Sequence, residues 1–146
     1  MHNVTMFNRI LLRGAIAVAA TFTALALHAE TAALAGQWMG NSQIEGEKHV
    51  TKTWLTLGAP DAANSTLRLE GDSACTLKEG SYSAGNDGAV TLTFKGSNGG
   101  DGCARLAKGS FVLHPGANPR KLEFEASYSG GDGGQSVRRG ALSRYP

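Results

Sequence analysis

Beyond residue 34, apolar side chains recur at every second position in short runs. The clearest spans Lys121 to Tyr128, with Leu122, Phe124, Ala126 and Tyr128 on one side and Lys121, Glu123, Glu125 and Ser127 on the other. A period of two marks a half-buried strand, one face on a core and the other in water. Leu67-Arg68-Leu69 and Val90-Thr91-Leu92-Thr93-Phe94 alternate in the same way. Further strands are predicted near 36–43 and 48–57, and no segment after residue 29 has convincing helical amphipathicity.

A threefold repeat organises the later chain. Gly71 to Tyr82, Gly100 to Phe111 and Gly131 to Leu142 align without gaps, each with Gly-Asp at its start, a Gly at its tenth position and a large apolar residue at its end. One of the alternating stretches precedes each copy, so each unit reads as strand, Gly-Asp turn, strand. The Gly-rich turns at 85–88, 98–102 and 130–134 supply the positive backbone angles that tight reversals need.

Eight strands in succession result, and the expected fold is all-β. A single antiparallel up-and-down barrel is the most economical arrangement, because closure leaves no edge exposed; a two-sheet sandwich is the alternative.

The amino terminus departs from this pattern. Arg9 and Arg13 precede an apolar run from Gly14 to Leu27, which ends in Leu27-His28-Ala29, the order of a cleavable signal peptide. The run is shorter than the roughly 20 apolar residues a spanning helix needs, and no Cys at the cut invites a lipid anchor. The sequence thus predicts a leader over 1–29, a domain over 30–146, no stable membrane insertion after cleavage, and a periplasmic or secreted location. The leader takes two of the 14 basic residues with it, so 12 remain against 12 acidic ones. A near-neutral domain has no concentrated basic face of the kind nucleic acid requires.

Export also decides how the two cysteines read. In an oxidising compartment, Cys75 and Cys103 are expected to form a disulfide rather than a metal or redox site. They open the predicted fourth and sixth strands, with the fifth between them. Strands two apart lie roughly 10 Å from each other, whereas bridged Cα atoms lie within about 7 Å. The bridge therefore requires the segment 96–102 to fold back across the barrel mouth.

The predicted first strand carries Gly36-Gln37-Trp38, and a Gly-x-Trp there resembles the calycin superfamily of lipocalins, fatty-acid-binding proteins and avidins. The resemblance implies that Trp38 plugs one barrel end and that a basic residue of the last strand, Arg138, Arg139 or Arg144, stacks over it. It extends to strand count and length but not to the second lipocalin motif or the avidin ligand pattern, so no ligand is carried across.

Little else suggests chemistry. His49 and His114 have no partner at metal-ligand spacing, and no local motif supplies a Zn site or an oriented nucleophile. The Gly-Asp turns lack the nine-residue spacing of calcium-binding repeats. No catalytic residue, metal or cofactor is therefore expected. Glu123 and Glu125 read as a solvated face; of Arg138 and Arg139, alternation turns one inward, and that one is the better functional candidate. Trp54, Phe94, Phe124 and Tyr128 are the candidate lining of a cavity, with burial in a packed core as the ordinary use of such residues.

These features favour an exported, non-catalytic binding protein holding an unknown small ligand or protein partner. An inhibitor or immunity-type protein acting on a secreted hydrolase such as a lysozyme, similar in size, export and β content, is the second expectation. A structural envelope protein is the third. A hollow barrel would fit a small-ligand carrier, and a filled one would leave the loops and outer face for a protein partner.

Overall fold

The alternating runs all form strands in the computed structural model, which describes residues 31, 33–71, 74–85 and 87–146. The leader predicted over 1–29 lies outside the described residues. The strands are β1 (Gly36–Ile44), β2 (Val50–Leu57), β3 (Ser65–Leu69), β4 (Cys75–Ala84), β5 (Val90–Thr93), β6 (Gly96–Asn98), β7 (Ser110–Pro115), β8 (Lys121–Ser129) and β9 (Gln135–Arg144), with one helix, α1 (Asp101–Ala107), before β7. All pairings are antiparallel. β1 pairs β9, and the ring closes through the β3–β4 pairing, giving an eight-stranded barrel with β6 as an additional strand on β4. The sandwich alternative is excluded.

The barrel interior is a packed core. Leu55, Leu57, Leu67, Leu77, Leu92, Phe111, Leu113, Leu122, Phe124 and Leu142 are all nearly inaccessible to solvent. Phe94 meets Phe111 edge-on at 5.2 Å, and Phe111 stacks on Phe124 at 6.4 Å. Gly140 on β9 lies directly opposite Phe124 on β8. A Cβ at Gly140 would come within 2.1 Å of the Phe124 ring, so only glycine allows this ring its place.

A bulge in β4 keeps its apolar residues inside. Cys75 and Leu77 are buried, Lys78 and Glu79 are both exposed, and Gly80 and Tyr82 are again buried, so the inward parity switches within one strand. The register against β3 shifts at the same point, and Glu79 takes the left-handed conformation with φ of 55°. The extra residue bends the strand and divides its other partner into β5 and β6.

The second repeat copy differs from the predicted strand-turn-strand. Gly100-Asp101 opens α1, and Cys103, expected at the start of a strand, lies in that helix. The helical spacing of Cys103 and Leu106 buries both against the barrel. Segment 96–102 makes the detour the disulfide requires, pairing with β4 as β6 and then turning into α1. The Cys75–Cys103 bridge forms at a Cα separation of 5.5 Å. In two of the other turns the Asp carboxylate serves its own backbone: Asp132 accepts from Gly134 N–H at 2.9 Å and Asp87 from Ala89 N–H at 3.1 Å.

Candidate functional site at the helix-bearing mouth

The two barrel ends are built differently. At the end where β1 begins and β9 ends, Trp38 is buried and donates from Nε1 to Leu34 O at 3.0 Å. The Arg144 guanidinium lies 4.3 Å from the Trp38 ring centroid. It also donates to Ala35 O at 2.9 Å and Ala33 O at 2.7 Å. One cation thus covers the indole and ties down the segment leading into β1. Of the three arginines offered for this position, Arg144 takes it, and the arrangement is compatible with a calycin-like barrel.

The opposite end opens into a recess of about 810 Å³. It lies where β1, β3 and β8 end and β2, β4 and β9 begin, with α1 as one wall. Ile44, Leu69, Leu106, Tyr128 and the disulfide sulfurs' residues supply apolar lining; His49, Thr51, Ser136, Arg105 and Arg138 supply polar groups, with Glu47 and Glu70 also bordering it. Its volume falls within the range of small-molecule sites.

Arg138 is the inward member of the Arg138–Arg139 pair. Only 9% of it is exposed, and its Nη1 donates to Ser42 Oγ at 3.0 Å. Thr53 Oγ1 donates to Thr51 O at 3.0 Å, which uses its single proton. It must therefore accept from Ser42 Oγ at 2.7 Å, while Ser42 accepts from Arg138. The result is a one-directional chain from guanidinium to hydroxyl to hydroxyl to carbonyl, buried under the recess. Among the described residues, Arg138 Nε has no hydrogen-bond partner, and Arg105 Nε, also buried, has none. Among the described residues no carboxylate pairs with either arginine.

Arg139 faces outward and pairs with Glu45 at 2.7 Å and Glu125 at 3.1 Å. The hydrogen bonds to Glu125 and Glu45 raise its pKa above the ordinary arginine value. Glu125 thus belongs to a solvated ion network, and Glu123 is exposed beside it. Arg139, Glu123 and Glu125, with Val50 and His114, line a second depression of about 500 Å³ on the outer face. His114 stands within β7 opposite Glu123.

Of the four aromatics named as cavity lining, only Tyr128 lines the recess. Phe94 and Phe124 fill the core instead. Trp54 is on the wrong side of its strand: Thr53 and Leu55 point inward, so Trp54 faces out. There it lies between Lys52 at 5.2 Å and Arg68 at 5.6 Å, donates to Glu70 at 2.9 Å and meets Tyr145 edge-on at 5.3 Å. Ser65 is fully buried and accepts from Gly58 N–H at 3.1 Å.

Among the described residues, no three His, Cys, Asp or Glu side chains group as metal ligands, and no helix is long and apolar enough to cross a membrane. No protein-family model matches the chain, and no curated protein shows significant sequence similarity to it.

Proposed function

We propose that the protein is an exported, non-catalytic binding protein of the cell envelope or secreted fraction, built on a calycin-like barrel, and that it binds its ligand in the recess beside α1. The observation that carries this reading is the contrast between the two ends. One is sealed by Trp38 and Arg144; the other combines an apolar wall with a buried, incompletely bonded arginine. The disulfide is consistent with an oxidising, extracytoplasmic compartment.

The test is to purify the protein from the exported fraction of its own host and analyse what a denaturing extract releases. Gly102 lines the recess, and a Cβ there would meet only Arg105 Nη2, at 3.6 Å. Gly102→Trp should therefore obstruct the recess without a clash against the barrel. A small molecule released stoichiometrically by the wild type and lost in Gly102→Trp is the expected result. Equal recovery from both proteins would move the ligand elsewhere, and no bound molecule would count against the carrier reading. Intact mass of the same sample should place Glu30 first.

The filled interior favours one second reading, an inhibitor or immunity-type protein that offers its mouth and outer face to a secreted hydrolase. No inhibition across a panel of cell-wall hydrolases and secreted proteases would remove it.

A further inference from the structure

We infer that the recess recognises a small organic anion, an oxyanion head on an apolar body, with Arg138 as the principal charge partner and Arg105 as the second. This inference rests on the binding reading above and deepens it.

Burial and charge carry the argument. A guanidinium does not lose its charge in a protein, and a charge held away from water is costly unless an opposite charge compensates it. Arg138 is nine-tenths buried, yet its Nη1 donates to a neutral hydroxyl, and among the described residues its Nε has no acceptor. A water molecule could satisfy that N–H but could not neutralise the charge. The Ser42–Thr53–Thr51 chain ends on a carbonyl and brings no anion either.

Among the described residues, no nearby carboxylate forms an ion pair with either arginine. Glu70 borders the recess but is bridged to Arg68 at 3.0 Å and Lys52 at 3.9 Å. Glu47, also at the recess, is exposed and forms no ion pair with Arg138 or Arg105 among the described residues. Glu45 and Glu125, the carboxylates nearest Arg138 in register, serve Arg139 on the outer face. Among the described residues, the recess is thus lined by two arginines with unmatched Nε–H donors, bordered by Leu69, Leu106 and Tyr128. Arginine's planar fork matches a carboxylate or similar oxyanion better than a neutral polar group. The apolar neighbours suit a ligand with a hydrocarbon or aromatic remainder, and the recess volume suits a small molecule more than an inserted protein loop.

The experiment titrates the mature protein, exported by its own host, with phenylbutyrate, phenylbutanol and phenylbutylamine, three probes of one shape that differ in head-group charge. Phenylbutyrate should bind at least tenfold more tightly than phenylbutanol, with phenylbutylamine weakest. Arg138→Met should reduce phenylbutyrate to the level of phenylbutanol and leave phenylbutanol unchanged. Without any probe, Arg138→Met should melt no lower than wild type, since a structural arginine would show the opposite. Arg105→Gln, at a half-buried position on α1, gives an independent reading and should weaken phenylbutyrate several-fold.

Equal binding of acid and alcohol would overturn the anion inference while leaving the binding module standing. Binding of none of the three would count against both. A Glu-rich peptide that binds through Arg138 while phenylbutyrate does not would assign the arginine to a protein partner and overturn the small-molecule inference. Asp72 lies outside the described residues and adjoins the lining Gly71 in sequence. If Asp72→Asn destabilised the wild type but not Arg138→Met, an internal ion pair would replace the proposed ligand.

Discussion

Replacing Cys75 and Cys103 together by Ala removes the disulfide cross-link between α1 and β4. The two residues are 28 positions apart, and the loop-entropy relation for that span gives about 3.5 kcal/mol of stabilisation lost. For a single domain of this length, roughly 4 °C of melting temperature accompanies each kcal/mol, so the midpoint should fall by about 15 °C. The loss should not be uniform. Helix α1 has seven residues, far below the length at which a helix is stable by itself, and anchors through buried Cys103 and Leu106 with Ala107 packed beside them. The β1–β9–β8 face carries long continuous pairing instead. Urea and thermal unfolding followed by circular dichroism would measure the global loss, and amide exchange would measure the local one. In the double variant, α1 amides should exchange far faster than those of β8 and β9, and phenylbutyrate binding should weaken because one wall of the recess is loosened. A loss below about 1 kcal/mol, with α1 as protected as in the oxidised protein, would refute the reasoning.

Two further substitutions test other parts of the barrel. Gly140→Ala forces a methyl against the Phe124 ring and should destabilise by about 1–3 kcal/mol, despite the roughly 0.5–1 kcal/mol that alanine contributes through lower chain entropy. Phe124→Leu should relieve most of that cost in a double-mutant cycle, and a neutral Gly140→Ala in the wild-type background would show that the ring has another place to go. Arg144→Ala removes the cation over Trp38 and two bonds to carbonyls. It should cost about 2 kcal/mol and shift Trp38 fluorescence as the indole gains access to water. Urea denaturation of the pair Arg144→Ala and Arg144→Lys checks this, with lysine recovering part of the loss and an unchanged midpoint for alanine arguing against a plug.

What the sequence determined by itself is the set of local rules. Alternation at 67–69, 90–94 and 121–128 specified strands, because side chains on a pleated chain point to opposite faces. Gly-rich punctuation specified the reversals at 85–88 and 130–134, and the expectation of export specified the pairing of the two cysteines. Register considerations alone sent the segment 96–102 back across the mouth. Alternation also showed that one of Arg138 and Arg139 must face inward. It could not say which, and the same ambiguity put Trp54 on the wrong side.

Those choices belong to the tertiary structure. Which face of a strand is inside depends on closure, where Thr53, Leu55 and Leu57 turn inward together and leave Trp54 to Lys52 and Arg68. The switch of inward parity between Leu77 and Tyr82 was visible in the sequence, with Gly80 beside it, yet only pairing with β3 shows it to be a bulge at Glu79. Helix α1 has too few residues for a periodic signal and exists because Cys103 and Leu106 find partners on the barrel. The recess follows from the same cause. Its residues come from segments as distant as Ile44 and Arg138, and only the closed ring brings a buried positive charge, two hydroxyls and an apolar wall to one mouth.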